Sequence, residues 1–183
     1  MKEHYFNRLA HKRISVRRYI DKPIDDESLK TCIEAARLAP SACNSQPWKF
    51  IVVNDKDLKD AFCKKAFSGI YSMNSFAITA PVMVAVVSEK STFFAKIGGQ
   101  FRGTQYCLID IGIACEHLVL QAAELGIGSC LFGWFNEKEV KKLLKIPMMK
   151  KVDMLISLGY YENIEKEKIR NPFSAICSYN KYQ

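Results

Sequence analysis

The order of the periodic segments predicts an α+β protein with three layers (α/β/α), in which helices cover both faces of a central sheet. Helical and strand-like patterns alternate along most of the 183 residues. The segment "APVMVAVVSE" is an unbroken apolar run, which is typical of a strand covered on both faces. The segment "TQYCLIDIGIACEHLVLQAAELG" is apolar nearly all round, which predicts a central, buried helix.

Helical patterns occupy five segments: 3–12, 25–39, 55–67, 104–125 and 136–146. Asp25 or Asp26 can cap the second helix, and Pro40 ends it because the residue before a proline is pushed out of the α region. Gly126 is well placed to stop the long helix. In the fifth segment, Asn136 and Glu139 are spaced as a capping pair.

Four segments are predicted to be strands or extended: "WKFIVVN", "APVMVAVVSE", "SCLFGWF" and "VDMLISLGY". Residues 92–103 are ambiguous, and the pair Gly98-Gly99 favours a loop there. The last residues, from about 162 to 183, are charged and then aromatic. They are expected either to fray or to pack on a partner subunit.

The length fits a single domain covering residues 1–183. Apolar residues make up 49% of the sequence and charged residues 25%. Lys and Arg total 27 against 19 for Asp and Glu, so the formal net charge is +8. That excess suits a nucleic acid, an acidic membrane face or a phosphorylated small molecule as partner.

Two basic groups lie far apart in the sequence. The first is near the N-terminus, and the second is at Lys166, Lys168 and Arg170. The first group consists of Lys2, Arg8, Lys12, Arg13, Arg17 and Arg18. Within the first, "RISVRRY" interleaves Ile14, Val16 and Tyr19 with the cations, which a solvated surface does not need. The two groups can meet in the fold around one anion; the competing interpretation is a solvated basic turn.

Several classes of site are not supported by the residue pattern. The seven cysteines include no Cys-x-x-Cys pair and there are three histidines, so no zinc site is expected. Neither a Gly-x-Gly-x-x-Gly after the first strand nor a P-loop is found. We expect reduced thiols in a cytoplasmic protein, with no signal peptide and no membrane span, because the longest apolar run, "PVMVAVV", is too short.

Four stretches in order resemble the nitroreductase-like FMN flavoproteins, and the resemblance covers essentially the whole chain. They are Arg13-x-Ser15-x-Arg17, "APSACNSQPW" (39–48), "ELGIGSCLFGWF" (124–135) and, more weakly, Lys168-x-Arg170. The family implies a dimeric fold with a mixed, mainly antiparallel sheet and with FMN bound at the subunit interface.

The basic residues correspond to positions that hold the flavin in that family. Arg13 and Ser15 match positions on the phosphate, and Arg17 matches one near the pyrimidine ring. Lys168 and Arg170 match a C-terminal pair that closes on the same phosphate. Guanidinium groups suit the role, because they bind phosphate through charge-assisted, often bidentate hydrogen bonds.

The loop "PSACNSQPW" matches one that crosses to the other subunit's flavin. The matching positions are Pro40, Ser41, Ala42 and Asn44. The family often carries Ser where this chain has Ala42, so a hydroxyl is lost there while a backbone contact stays available. Catalysis by Cys43 is not expected, since no histidine lies near it in the sequence.

The segment "GSCLFGWF" matches the family's backbone beside flavin N5. The resemblance implies that Leu131 and Phe132 line the ring and that the Gly133 backbone approaches the N5 edge, since a glycine permits close approach. Some members have a Glu-Gly pair here and this chain does not, so the match can shift by one residue. The competing interpretation is a plain buried strand. His117, inside the long helix, is expected to be a structural histidine.

The function implied is an FMN-dependent oxidoreductase. NADH or NADPH would supply the hydride, and a nitroaromatic or quinone would accept the electrons in a ping-pong cycle. No side chain is expected to be catalytic, because the cofactor carries the chemistry. The alternatives are a family flavoprotein with a specialised or oxygen acceptor, a flavin-binding protein without turnover, and a basic nucleic-acid-binding domain.

Overall fold

A computed structural model describes residues 4–89, 103–162 and 167–182. In these ranges the helices are α1 (Tyr5–Lys12), α2 (Asp26–Arg37), α3 (Lys56–Ala66), α4 (Tyr106–Glu124), α5 (Glu137–Leu143) and α6 (Phe173–Ile176). The strands are β1 (Trp48–Val53), β2 (Val82–Ser88), β3 (Gly128–Phe132) and β4 (Lys151–Gly159). Two 3₁₀ segments, Ala42–Asn44 and Gly69–Thr79, were not predicted. The predicted loop at Gly98-Gly99 lies outside the described residues.

Two helices begin at the caps that the sequence predicts. Asp25 caps α2, because its carboxylate accepts the Ser28 N–H at 2.8 Å. Asn136 caps α5 by accepting the Glu139 N–H at 3.2 Å. The helix predictions are therefore confirmed at their starts as well as in their order.

The long helix α4 ends where predicted. Gly126 has a positive φ of 75°, which lets the Ile127 N–H donate to the Ala122 carbonyl at 2.8 Å. By length and composition α4 is apolar enough to cross a bilayer, a feature that the sequence analysis missed. Here its buried apolar side chains pack against α2 and the sheet, whereas Leu108 and Ile109 are exposed, so α4 is half-buried in this chain and not buried all round as predicted.

The four strands form one sheet in the order β1-β2-β4-β3, and every neighbouring pair is antiparallel. A single parallel bridge joins Ser15 to Ser129 beside this sheet. The predicted mixed, mainly antiparallel sheet is confirmed.

Side chains of β2 alternate between two cores, which divides the molecule into three layers. Val82, Val84 and Val86 pack with α2 and α4. Met83, Ala85 and Val87 pack on the opposite face with α3 and α5. Because both faces are covered, the strand needs no polar side, and the predicted α/β/α layering is confirmed.

Glu137 ties the start of α5 to β4. Its carboxylate accepts hydrogen bonds from Lys151 Nζ, from Lys141 Nζ at 2.7 Å and from the Val152 N–H at 3.0 Å. Partial burial alone would raise the pKa of Glu137, but these hydrogen bonds outweigh it and bring the pKa to about 2. The ionised carboxylate is therefore favoured by folding.

We expect Glu137→Gln to lower the free energy of unfolding at pH 7 by about 1–2 kcal/mol, because it removes charge-assisted hydrogen bonds. The native pKa lies below the ordinary value of 4.5, so the stabilisation is present above pH 4.5 and is lost as the pH falls through about 2. Urea unfolding at several pH values measures it, with Glu34→Gln in the exposed ion pair with Arg37 as the control. A wild-type advantage that stays constant down to pH 2 would contradict this account.

Candidate functional site

The segment Arg13–Tyr19 is held against the sheet by its apolar residues. The Val16 N–H donates to the Ser129 carbonyl at 2.9 Å, at the start of β3. Val16 and Tyr19 are only 3% and 7% exposed, whereas Ser15 and Arg17 are exposed. The interleaved pattern seen in the sequence thus separates a face that packs from a face that is free to bind.

Two glycines make this packing possible. Gly128 on β3 and Gly159 on β4 are partners in the sheet. A Cβ atom at Gly128 would lie 2.6 Å from Val16 Cγ2, and one at Gly159 would lie 2.7 Å from Tyr19 Cδ1. Only glycine therefore lets both side chains lie flat on the sheet.

The hydroxyl of Tyr19 anchors the far end of the segment. It donates to the Val16 carbonyl at 3.0 Å and lies 2.6 Å from Ser157 Oγ, in a buried setting. Burial raises the pKa of Tyr19 far above its usual value, so the hydroxyl keeps its proton at physiological pH.

The C-terminal basic pair lies beside this segment. Arg13, Ser15, Arg17, Lys168 and Arg170 line one open cleft of about 270 Å³, together with Ile14, Glu167 and Ile169. The five candidate residues that come from opposite ends of the sequence therefore converge, as the sequence analysis anticipated for a shared anion.

Lys168 also has a structural role that the sequence did not reveal. Its ammonium donates to the carbonyls of Ala10 and Arg13, at the C-terminal end of α1. A cation at that end satisfies orphan carbonyls and complements the helix dipole. Two of its three donors are used in this way, so Lys168 chiefly positions Arg13 and has one donor left for a ligand.

The cleft has an excess of positive charge. Among the described residues, no ion pair involves Arg13, Arg17, Lys168 or Arg170. Partial burial, followed by the charges of Arg13 and Arg170, lowers the pKa of Lys168. Four cations line the cleft with one carboxylate, Glu167, and such an excess of mutually repelling cations is the electrostatic signature of an anion site.

The loop after α2 has strained backbone and a buried anchor. Cys43, Asn44 and Gln46 have positive φ values of 53°, 51° and 44°. The carboxylate of Asp110, 4% exposed on α4, accepts the Ala42 N–H at 3.1 Å. The amide proton of Ala42 is therefore already bound, and its carbonyl accepts the Ser45 N–H at 3.1 Å.

The remaining loop candidates also make local bonds. Ser41 Oγ accepts the Gln46 N–H at 3.0 Å, and Asn44 accepts from the Gln46 side chain at 3.2 Å. Pro40 and Asn44 are exposed, and none of the loop residues lines the arginine cleft of the same chain.

The β3 candidates separate onto two faces. The Phe132 side chain is 3% exposed and packs 5.0 Å from the ring of Phe67 in the second core. Leu131 points to the opposite face, because neighbouring strand residues alternate, so the two side chains that the family match pairs beside the ring do not share a face. Leu131 is half-buried, and no atom would lie within 4 Å of a Cβ at exposed Gly133.

His117 and Asn74 each have a hydrogen-bond partner on another element. His117 Nδ1 lies 3.2 Å from the Ala35 carbonyl and links α4 to α2, as expected of a structural histidine. The Asn74 side chain donates to the Trp134 carbonyl at 3.0 Å, next to Gly133.

Sequence reasoning missed three residues that shape the site: Gly128, Gly159 and Asp110. The signals were weak but present. Gly159 sits inside the predicted strand "VDMLISLGY", where glycine often marks a close backbone approach, and Gly128 directly precedes the predicted strand "SCLFGWF". Asp110 is an acidic residue within an apolar helical pattern, and such a residue, when buried, requires hydrogen-bonding partners.

The model of the nitroreductase family matches residues 10–160. The chain belongs to the nitroreductase family. The match spans the arginine segment, the loop after α2 and the four strands, whereas residues 1–9 and the tail with Lys168 and Arg170 lie outside it.

Individual relatives agree over most of their length. A protein of Archaeoglobus fulgidus, provisionally named NADH dehydrogenase/NAD(P)H nitroreductase, is 32% identical over 84% of this chain and 83% of its own. The iodotyrosine deiodinase of Thermotoga neapolitana is 27% identical, covering 95% of this chain and 97% of its own.

A solved structure gives the same assignment. The FMN-dependent nitroreductase of Clostridium difficile superposes with a TM-score of 0.73 at 27% identity, covering 95% of this chain and 98% of the other. The family and these relatives make this protein an oxidoreductase, in a family that uses FMN.

The donor set of the arginine cleft fits a flavin phosphate. Arg13 and Arg170 supply guanidinium groups that form no ion pair in the described part of the chain, and Ser15 supplies an exposed hydroxyl. A dianionic phosphate would be neutralised by these groups and would relieve their mutual repulsion.

We expect Gly128→Ala to destabilise the protein by about 1–3 kcal/mol, because the new methyl group would overlap Val16 and Tyr161. Thermal unfolding measures the effect. The control is Gly112→Ala on α4, where a Cβ meets no atom within 4 Å and alanine is the better helix former. Equal stability of the Gly128→Ala variant and the wild type would show that the close approach is unimportant.

Proposed function

We propose that this protein is an FMN-dependent oxidoreductase that takes hydride from NADH or NADPH and reduces an electron-poor acceptor, such as a nitroaromatic or a quinone. The observation that carries the proposal is the convergence of Arg13, Ser15 and Arg170 on one cleft with unpaired positive charge. Bound FMN would supply the redox chemistry, by accepting a hydride at N5 and releasing electrons to the second substrate.

The chain's own residues would bind and orient the cofactor. Arg13, Ser15 and Arg170 would hold the phosphate, and Lys168 would fix Arg13 through its carbonyl. Arg17 would place a cation near the pyrimidine ring, where it stabilises negative charge in the reduced flavin. The open space at Gly133 would leave room for backbone contact with the ring.

The proposal includes a homodimer of single-domain chains, with each flavin at the interface. Helices α1 and α6 have no buried residue within one chain. Large apolar side chains are exposed on α1, on α4 and along the tail: Tyr5, Phe6, Leu108, Ile109, Phe173, Ile176, Tyr179 and Tyr182. Such exposure favours burial against a second copy. In that assembly the loop Pro40–Asn44 would serve the partner's flavin.

The visible spectrum of the purified protein tests the proposed reaction. We expect a yellow protein whose flavin absorbance is bleached by anaerobic NADH or NADPH and restored by a nitroaromatic or a quinone. Bleaching that only oxygen reverses would favour the alternative acceptor, and bound flavin that neither nucleotide bleaches would leave a binding protein without turnover. A colourless protein that does not take up FMN would contradict the proposal.

We place the enzyme in the cytoplasm, as its reduced cysteines suggest.

We expect Arg13→Ala to weaken FMN binding by about 10- to 100-fold, since it removes a charge-assisted hydrogen bond to the phosphate. Fluorescence titration of the flavin-free protein measures the dissociation constant. Arg18→Ala is the matched control, because Arg18 is exposed and does not line the cleft. Equal losses of FMN affinity in the two variants would show that only the overall charge of the protein matters, and would refute the phosphate assignment.

A further inference from the structure

A second cavity, of about 500 Å³, lies among Tyr19, the start of α3 and the end of the 3₁₀ segment Gly69–Thr79. No residue lines both this cavity and the arginine cleft. Its volume is in the range of small-molecule sites, roughly 300–1,000 Å³. We call it the Lys59 cavity, after the most buried charged side chain on its wall.

Lys59 presents a fixed ammonium group to this space. Its side chain is 8% exposed. The ammonium donates to the Ile78 carbonyl at 2.8 Å and to the carboxylate of Asp60. Within the described part of the chain these are its two acceptors, and an ammonium has three donors. One donor of a desolvated cation therefore remains for a ligand.

The charges around the cavity are balanced. Lys56 and Lys59 line it together with Asp21 and Asp60. The hydrogen bond from Lys59 lowers the pKa of Asp60, so this carboxylate is ionised at neutral pH. A simple anion would be attracted by the lysines and repelled by the carboxylates. A ligand that carries both signs would pair with both.

Apart from Asn54 and Thr79, the rest of the wall consists of apolar and aromatic side chains that pack closely on the sheet. Tyr19 and Pro81 both line the cavity, and both press on Gly159, where a Cβ would lie 2.7 Å from Tyr19 Cδ1 and 2.6 Å from Pro81 Cδ. Ile78 lies beside them, with its carbonyl bound to Lys59. Such a surface suits a flat hydrocarbon or aromatic group, since it is already ordered before a ligand arrives.

We propose that the Lys59 cavity binds a small zwitterion with an apolar body, of the class of free aromatic amino acids. The carboxylate of the ligand pairs with Lys59, its ammonium pairs with Asp60, and its ring packs on Tyr19 and Pro81. This site is separate from the proposed flavin site, and the inference goes beyond the proposed function.

Isothermal titration of the purified protein with L-phenylalanine tests the proposal, with and without saturating FMN. We expect binding in both conditions. 3-Phenylpropanoate, which lacks the ammonium, and phenethylamine, which lacks the carboxylate, should each bind at least about tenfold more weakly, because each leaves a charged partner unpaired. Lys59→Met should weaken L-phenylalanine binding by about tenfold or more, whereas Lys64→Met, at an exposed position on the same helix, should not.

Asn54→Trp gives an independent test if Lys59→Met does not fold. Asn54 is exposed on the cavity rim, so an indole there blocks the space without removing a charge. It should abolish L-phenylalanine binding. The proposal would be overturned if L-phenylalanine did not bind at about 10 mM, or if it still bound the Asn54→Trp variant. It would equally be overturned if FMN abolished the binding, or if either analogue bound as well as the amino acid.

Discussion

The close packing of Val16 and Tyr19 against the paired glycines Gly128 and Gly159 fixes where the arginine segment lies. A methyl group at either glycine would come within 2.7 Å of an atom of the segment. With the apolar residues held on the sheet, Arg13 is left at the cleft, where Lys168 binds its carbonyl. The geometry of the cation cluster thus depends on two glycines of the sheet, Gly128 and Gly159.

That cluster is maintained at an electrostatic cost. Burial, followed by the charges of Arg13 and Arg170, lowers the pKa of Lys168. Glu167 is the one carboxylate that lines the cleft, and among the described residues it forms no ion pair with these cations, whereas around Glu137 two lysines pair with one acid. The contrast between these two regions is the reason to assign ligand binding to one and stability to the other.

Periodicity in the sequence was sufficient for the layers, since the alternation of β2 between two cores follows from an unbroken apolar run. The caps at Asp25 and Asn136 are local and could also be predicted from the sequence. Contacts between distant residues could not be predicted, because Asp110 and Ala42 are 68 positions apart and no local pattern encodes their pairing. The family match alone did not show that Leu131 and Phe132 lie on opposite faces of the sheet, which follows from strand alternation.

A comparison of FMN with riboflavin, which lacks the phosphate, tests the central claim most directly. If the converging cations hold a phosphate, FMN binds the flavin-free protein at least about 100-fold more tightly than riboflavin at low salt. The gap narrows as the ionic strength rises to about 0.5 M, because exposed charges are screened, while riboflavin binding changes little. Equal affinities for the two flavins, or a gap that salt does not alter, would contradict the account.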